Sequence, residues 1–322
     1  MDSGTTGASA TEAAVVEAGL ISARTRLLVL LSGGRDSVCL LDLAVRIAGA
    51  AQVRALHVNY GLREGADQDQ LLCEQLCHLL GVELNVVVAH EPPKSGNLHD
   101  WARKLRYSAA AELADGAYIA VAHTATDQAE TVLYRLAVSP GRRALLGMRE
   151  RNDAVLRPLL GVTRAQTGQY CTERNLAFCS DPSNLDPTFA RTRVREGLLA
   201  AMLEVSPNAV ANISTTLELL RAEDEVLSEL VAGVTSGRQQ IPLAELRELP
   251  LALARLVCPS LAEHSTGEYV PQAANRVEEL LLMENGGSID IGAGARACVK
   301  DGMLCFEFST GSALPRRRGE LE

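Results

Sequence analysis

Apolar positions in the first half of the chain come in short runs separated by stretches of helical spacing. Leu27–Leu31, Val53–Val58, Leu84–Val88 and Ala117–Ala122 are nearly continuous apolar runs of strand length, as strands buried on both faces require. Between them, Ser37–Ile47, Asp67–Leu80 and Leu98–Leu113 place apolar residues three and four apart, the spacing of amphipathic helices. This alternation predicts βαβ units and an open, doubly wound parallel α/β sheet. Ligands in such sheets bind beyond the carboxyl ends of the strands, so the residues just after Leu31, Val58 and Ala122 are expected to converge on one crevice.

After Pro158 the strand pattern stops. Helices are expected over Thr163–Arg174, Ala190–Leu203 and a long stretch from Asn208 to about Val234. A smaller α+β domain follows, with helices over Leu243–Leu256 and Ala273–Leu282 and strands over Ser288–Ile291, Arg296–Lys300 and Met303–Phe308. Asp301-Gly302 between the last two strands is a hairpin-turn signal, and Gly292-Ala-Gly294 reads as a turn because it opens no helix. The expected organisation is a flexible arm over 1–24, a nucleotide-type sheet domain over 25–206, a connector helix over 207–235, a small accessory domain over 236–308 and a disordered tail over 309–322 that holds Arg316–Arg318.

Composition supports a folded chain: of 322 residues, 47% are hydrophobic and 22% charged. No apolar run approaches the length of about 20 residues that a bilayer-spanning helix needs, and the start of the chain lacks the basic region of a secretory signal. A cytoplasmic protein with no membrane partner is expected. The cysteines at 39, 73, 77, 171, 179, 258, 298 and 305 are scattered and include no Cys-x-x-Cys pair, so reduced thiols are expected rather than disulfides or a zinc or iron–sulfur site. The net charge of −9 argues at first against a polyanionic partner, but residues 101–200 hold 14 Lys and Arg against 10 Asp and Glu, a local +4. A basic middle inside an acidic chain leaves room for nucleic acid.

The segment most informative about chemistry is Ser32-Gly33-Gly34-Arg35-Asp36-Ser37, between the first strand and the first helix of the sheet. A glycine-rich turn that opens a helix aims several backbone N–H groups at one point, where the helix dipole also favours negative charge. Phosphate is the natural guest, Ser32 and Ser37 add hydroxyl donors, and Asp36 supplies a hard oxygen for Mg²⁺. The alternative is a tight turn with a Ser or Asp cap. Neither the Gly-x-x-x-x-Gly-Lys-Ser/Thr loop nor Gly-x-Gly-x-x-Gly follows the first strand.

Ser-Gly-Gly-x-Asp-Ser in this position resembles the pyrophosphate loop of the N-type ATP pyrophosphatases. Within that group the chain is similar to the tRNA(Ile)-lysidine synthetases, through His57-Val58-Asn59-Tyr60-Gly61-Leu62-Arg63, Ala102-Arg103-x-x-Arg106-Tyr107, and His123 with Asp127-Gln128-Ala129-Glu130-Thr131. The likeness continues in Gly147-Met148, Arg157-Pro158-Leu159-Leu160, Asp181-Pro182-Ser183-Asn184 and Arg191-x-x-x-Arg195. Leu246-x-x-Leu249-Pro250 and Gly287-Ser288-Ile289-Asp290 extend it into the second domain, so that it covers roughly residues 25–308. The chain departs from the pattern at Tyr60 for a frequent His, His99 for Glu, Thr192 for Asn, and Thr124 and Thr126, where a second His and a first Asp are frequent. It resembles a short form of the family.

The resemblance implies ATP with its phosphates on Ser32–Ser37 and its adenine near Val58, beside His57. The O2 of a cytosine in the CAU anticodon of tRNA(Ile) attacks the α-phosphate, and the ε-amine of L-lysine then attacks C2 and expels AMP. In that scheme Asp36 binds Mg²⁺, and Asp127, beside His123, takes a proton from the amine. Arg103 and Arg106 suit phosphate or carboxylate recognition. Arg106, Arg142, Arg143, Arg191 and Arg195 are the expected tRNA contacts, with Arg193 adding to the local charge. Each has a structural alternative: Asp127 as part of a helix cap with Glu130 three residues on, His57 as a hydrogen-bonded strand end, the arginines as surface charge. Two other readings stay open, a thiolation enzyme with the same loop and a non-catalytic ATP- or tRNA-binding relative. The oligomeric state is not encoded in any pattern.

Overall fold

The computed structural model describes residues 7–62, 65–89, 98–138, 141–179, 188–268, 270 and 272–308. Arg63, Asn97, Asp181–Asn184 and the Arg316–Arg318 tail lie outside the described residues, as do the side chains of His99 and Arg143. The chain forms two compact units, 1–220 and 221–322.

The first unit is built on six strands: β1 (Leu27–Leu30), β2 (Val53–Asn59), β3 (Glu83–Val88), β4 (Tyr118–Ala120), β5 (Arg151–Asn152) and β6 (Val155–Leu156). Their order is β3-β2-β1-β4-β6-β5. All neighbours are parallel except β5, which turns back on β6. The helices are α1 (Gly7–Glu17), α2 (Arg35–Ala48), α3 (Ala66–Leu80), α4 (Leu98–Leu113), α5 (Ala125–Val138), α6 (Arg142–Leu145) and α7 (Arg164–Glu173). Chain order reverses between β1 and β4, and this is the switch point at which a doubly wound sheet opens a crevice. All four residues of β1 are buried, which accounts for its unbroken apolar run.

Three features go beyond the hydrophobic pattern. The arm expected over 1–24 contains α1, whose Val15 is fully buried and whose Ala8 N–H donates to Glu173 on α7 at 2.7 Å. β5 and β6 are two residues each, too short for a period-2 signal. The single helix expected over Ala190–Leu203 is three pieces: α8 (Ala190–Arg193), a wider π-helical stretch over Val194–Leu199, and α9 (Ala200–Val205). Such π segments are rare and gather at functional sites.

A long helix, α10 (Ala209–Thr235), carries the boundary between the units. The second unit has an antiparallel sheet in the order β7-β10-β9-β8, from β7 (Gln240–Pro242), β8 (Ser288–Gly292), β9 (Ala295–Lys300) and β10 (Met303–Phe308). Four helices accompany it: α11 (Leu243–Glu248), α12 (Leu251–Thr266), α13 (Gln272–Asn275) and α14 (Val277–Leu281). Ile241, Leu246, Val257, Leu261, Leu280, Val299 and Leu304 form its core. The helix expected over Leu243–Leu256 breaks at Leu249-Pro250, because proline disfavours helical geometry in the residue before it and suits a helix start. Asp301 and Gly302 both have positive φ, 51° and 75°, which gives the tight β9–β10 hairpin.

Candidate functional site

The loop after β1 is braced from within. Ser37 Oγ donates to the Gly34 carbonyl at 2.8 Å and accepts from Ser32 N–H at 3.2 Å, while Gly34 N–H donates to Ser32 Oγ at 3.3 Å. Gly33 has φ +81°, a conformation costly for a residue with a β-carbon. Its carbonyl accepts from Cys179 N–H at 2.8 Å. No side chain caps the start of α2, so the first-turn N–H groups face the crevice as an anion-binding end.

Three carboxylates gather at this end of the sheet. Asp36, in the first turn of α2, lies 3.5 Å from Arg35 Nε and 3.6 Å from Arg164 Nε, and accepts a short hydrogen bond from Thr167 on α7. Burial raises its carboxyl above the usual range. The Thr167 bond and Arg164 oppose that shift, and the charge of Asp127 adds to it. Asp127 forms a reciprocal cap with Thr124 at the start of α5. Its Oδ2 accepts from Thr124 N–H at 2.8 Å and from the hydroxyl at 2.7 Å, and its own N–H donates to Thr124 Oγ1 at 3.3 Å. The cap and the crevice position coexist, because the bonds fall on one carboxylate oxygen. The capping partner is Thr124 rather than Glu130.

Glu130 was singled out by the sequence only as a cap partner, and the structure gives it a different setting. It lies one helical turn after Asp127, 5% exposed, with Oε1 lacking a hydrogen bond and 4.0 Å from Arg195 Nε. Burial first, then the charge of Asp127, pushes its carboxyl up to about 7, against Arg195, Arg164 and Arg191. Arg195 belongs to the π-helical stretch, which faces α5 here. The available signal was Asp127-x-x-Glu130, which puts two acids on one helix face.

His123, after β4, is half-buried with Nδ1 lacking a partner. Burial lowers it to about 4, with Arg157, Arg103 and Arg106 opposing the pull of Asp127. It is therefore neutral at physiological pH. Arg103 lies 4.8 Å and Arg106 5.9 Å from the centre of the Tyr107 ring, and the charge of both is felt at His123. Tyr60, after β2, donates to the Ala102 carbonyl at 3.0 Å and meets Trp101 edge to face at 5.9 Å.

The remaining sequence candidates fall in different places. His57 is buried, with Nδ1 2.9 Å from the Leu31 carbonyl, so it braces the base of the phosphate loop. Val58 is buried near the end of β2. Arg142 is half-buried and Arg191 exposed. Gln128 makes a two-pronged bond to Met148, donating to its carbonyl at 2.7 Å and accepting from its N–H at 2.6 Å. A β-carbon on Gly147 would sit 2.7 Å from that amide, which explains a glycine there.

Mg²⁺ suits this set. Asp36 and Asp127 repel one another, and a cation between them relieves the repulsion. Among the described residues no group of three or more His, Cys, Asp or Glu forms a protein cage.

The model of the PP-loop domain matches residues 8–202. The tRNA(Ile)-lysidine synthase of Gloeobacter violaceus is 36% identical, covering 74% of this chain and 76% of its own. That of Symbiobacterium thermophilum is 33% identical over 91% of this chain and 67% of its own. The U34-tRNA thiolase NcsA from Methanococcus maripaludis with its [4Fe-4S] cluster superposes with a TM-score of 0.57 at 16% identity, over 67% of this chain and 79% of that one, a likeness of fold. Matches of this extent place the chain in the tRNA(Ile)-lysidine synthase family, on a PP-loop domain.

Proposed function

We propose that this chain is an ATP-dependent ligase that joins the ε-amine of L-lysine to C2 of the wobble cytidine of tRNA(Ile) with a CAU anticodon, releasing AMP and pyrophosphate, in the cytoplasm. The observation that carries the reading is the meeting, across the β1–β4 switch point, of an uncapped phosphate loop with the Asp36, Asp127 and Glu130 carboxylates. The first feature suits ATP and the second suits an amine.

In the first step Ser32–Ser37 bind the phosphates through backbone N–H groups, with Val58 beside the adenine. His57 holds the base of the loop through Leu31. Arg35 and Arg164 offset charge as the cytosine O2 attacks the α-phosphate and pyrophosphate leaves. Asp36, with Asp127 facing it, would hold Mg²⁺, which supplies charge neutralisation at the phosphates.

In the second step the ε-ammonium must lose a proton before it attacks. Asp127 orients it through the oxygen not engaged by Thr124, and Glu130, whose carboxyl sits at about 7, accepts the proton near neutral pH. Neutral His123 lines the crevice between them and Arg103. Arg106, Arg142, Arg143, Arg191 and Arg195 contact tRNA phosphates, and Arg195, 4.0 Å from Glu130, opposes the rise of its carboxyl. The test is incorporation of labelled lysine into a CAU-anticodon tRNA(Ile) transcript with ATP and Mg²⁺. Labelling by lysine supports the reading. Labelling only from a sulfur donor, or ATP-dependent tRNA binding without pyrophosphate release, overturns it.

A further inference from the structure

Beneath the phosphate loop lie two thiols that the ligation chemistry does not use. A β-carbon on Gly33 would sit 3.4 Å from Cys73 Sγ and 3.7 Å from Cys179 Sγ, so sulfurs from separate elements flank the space where a side chain of the loop would stand. Cys73, on α3, is fully buried. Cys179 follows α7, is half-buried, and is tied to the loop by its N–H bond to the Gly33 carbonyl at 2.8 Å and by bridge pairing with Gly34. His57 Nδ1 lies 2.9 Å from the Leu31 carbonyl and 3.4 Å from Cys73 Sγ. A carbonyl only accepts, so Nδ1 is assigned the proton and presents N–H toward the sulfur as well.

We propose that Cys73 and Cys179 form a redox-responsive dithiol that controls the phosphate loop: a peroxide-class oxidant joins them as a disulfide and weakens ATP binding, and a thiol reductant restores it. The proposal rests on the reading of Ser32–Ser37 as the ATP loop. Cys179, the more accessible thiol, attacks the peroxide. Its S–O bond forms as O–O breaks, and water leaves with the thiol proton. Cys73 sulfur then attacks the sulfenic sulfur, S–S forms as S–O breaks, and the departing hydroxide takes the Cys73 proton as water. Two thiols lose two electrons and one peroxide becomes two waters. Burial keeps the Cys73 thiol protonated far above its usual range, which suits the second, resolving role, and the His57 N–H favours charge on its sulfur as the proton leaves.

The bond draws the sulfurs to about 2.05 Å across the space beside Gly33. Cys179 carries the Gly33 carbonyl with it through their hydrogen bond. The loop N–H groups then turn away from the phosphate position.

The test treats the full-length reduced chain with hydrogen peroxide, maps linked peptides by mass spectrometry after alkylation, and titrates ATP with Mg²⁺ by calorimetry. The expected result is a Cys73–Cys179 linkage with about tenfold weaker ATP binding, the equivalent of one lost hydrogen bond, reversed by dithiothreitol. Cys179→Ser should bind ATP like the reduced parent and ignore peroxide. The Cys39 and Cys171 thiols, both fully buried, and the cross-strand Cys298 and Cys305 serve as internal comparisons in the same map. Absence of the linkage, a linkage without loss of ATP affinity, or a peroxide response in Cys179→Ser overturns the proposal. Peptide mapping of the parent decides the first point even if the variant folds poorly. Reduced parent that does not bind ATP overturns the loop reading instead, while the linkage is scored independently.

Discussion

Glu130 and His123 give stability opposite dependences on pH, and replacing Glu130 separates the two. Burial takes the Glu130 carboxyl from 4.5 up to about 7 and the His123 imidazole from 6.5 down to about 4. Between pH 4.5 and about 7 the folded chain keeps a Glu130 proton that the unfolded chain has released, so this residue lowers stability as pH rises. His123 acts in the opposite sense: as pH falls from 6.5 to about 4 the unfolded chain takes up a proton that the folded chain does not, and stability falls with pH. Each slope is at most about 1.4 kcal/mol per pH unit, and in their shared window they nearly cancel. Glu130→Gln removes one of them. Its stability relative to the parent should rise by up to about 3 kcal/mol between pH 4 and pH 8, and the variant alone should show the His123 slope below pH 6.5. Urea unfolding followed by circular dichroism across that range measures both. A difference between variant and parent that is the same at pH 4 and pH 8 would refute the assignment of a raised carboxyl at position 130. In the ligation assay the variant should lose lysine incorporation by about 10² while still releasing pyrophosphate.

Three further outcomes follow from the geometry. Asp36→Ala should reduce pyrophosphate release by about 10²–10³ with its circular dichroism spectrum unchanged; normal release removes Asp36 from the mechanism. Arg191→Ala, at an exposed position, should weaken tRNA binding and lower the salt slope by about 1. Equal losses for ATP and tRNA would contradict a phosphate contact. Gly33→Ala places a β-carbon at φ +81° against Cys73 Sγ and should cost about 1–2 kcal/mol of stability together with ATP affinity. An unchanged urea midpoint would show that the loop relaxes without strain.

The sheet was legible because β1 and β2 are buried, nearly continuous apolar runs joined by helices of clear period, and Leu98–Leu113 matches α4 residue for residue; β3, at the sheet edge, is half-buried and shows through its Val86–Val88 run. The phosphate loop was legible because glycine and hydroxyl residues at a strand–helix junction have few other uses. Glu130 was not, because burial is what raises its carboxyl and its counter-charge, Arg195, lies on a π-helical stretch 65 positions later, neither of which has a local signature. His57 was read as a candidate ligand and as a strand end, and the Leu31 carbonyl that holds it belongs to the neighbouring strand. The proposed dithiol was invisible for a like reason: Cys73 and Cys179 are distant in sequence, and only the fold brings both sulfurs beside Gly33.

The bond between Gln128 and Met148 makes the turn at Gly147 and the opening of α5 one mechanical piece. Arg142, Arg149 and Arg151 lie on either side of that turn, and Asp127 is the residue next to Gln128. A pull on that turn is therefore delivered to the helix that carries both carboxylates through the Gln128 amide and through Arg135, which donates to the Gly147 carbonyl at 3.3 Å. On the proposed reading, grip on the RNA and alignment of the proton acceptor would share this connection, so a substitution at Gln128 should alter tRNA affinity and the rate of modification together.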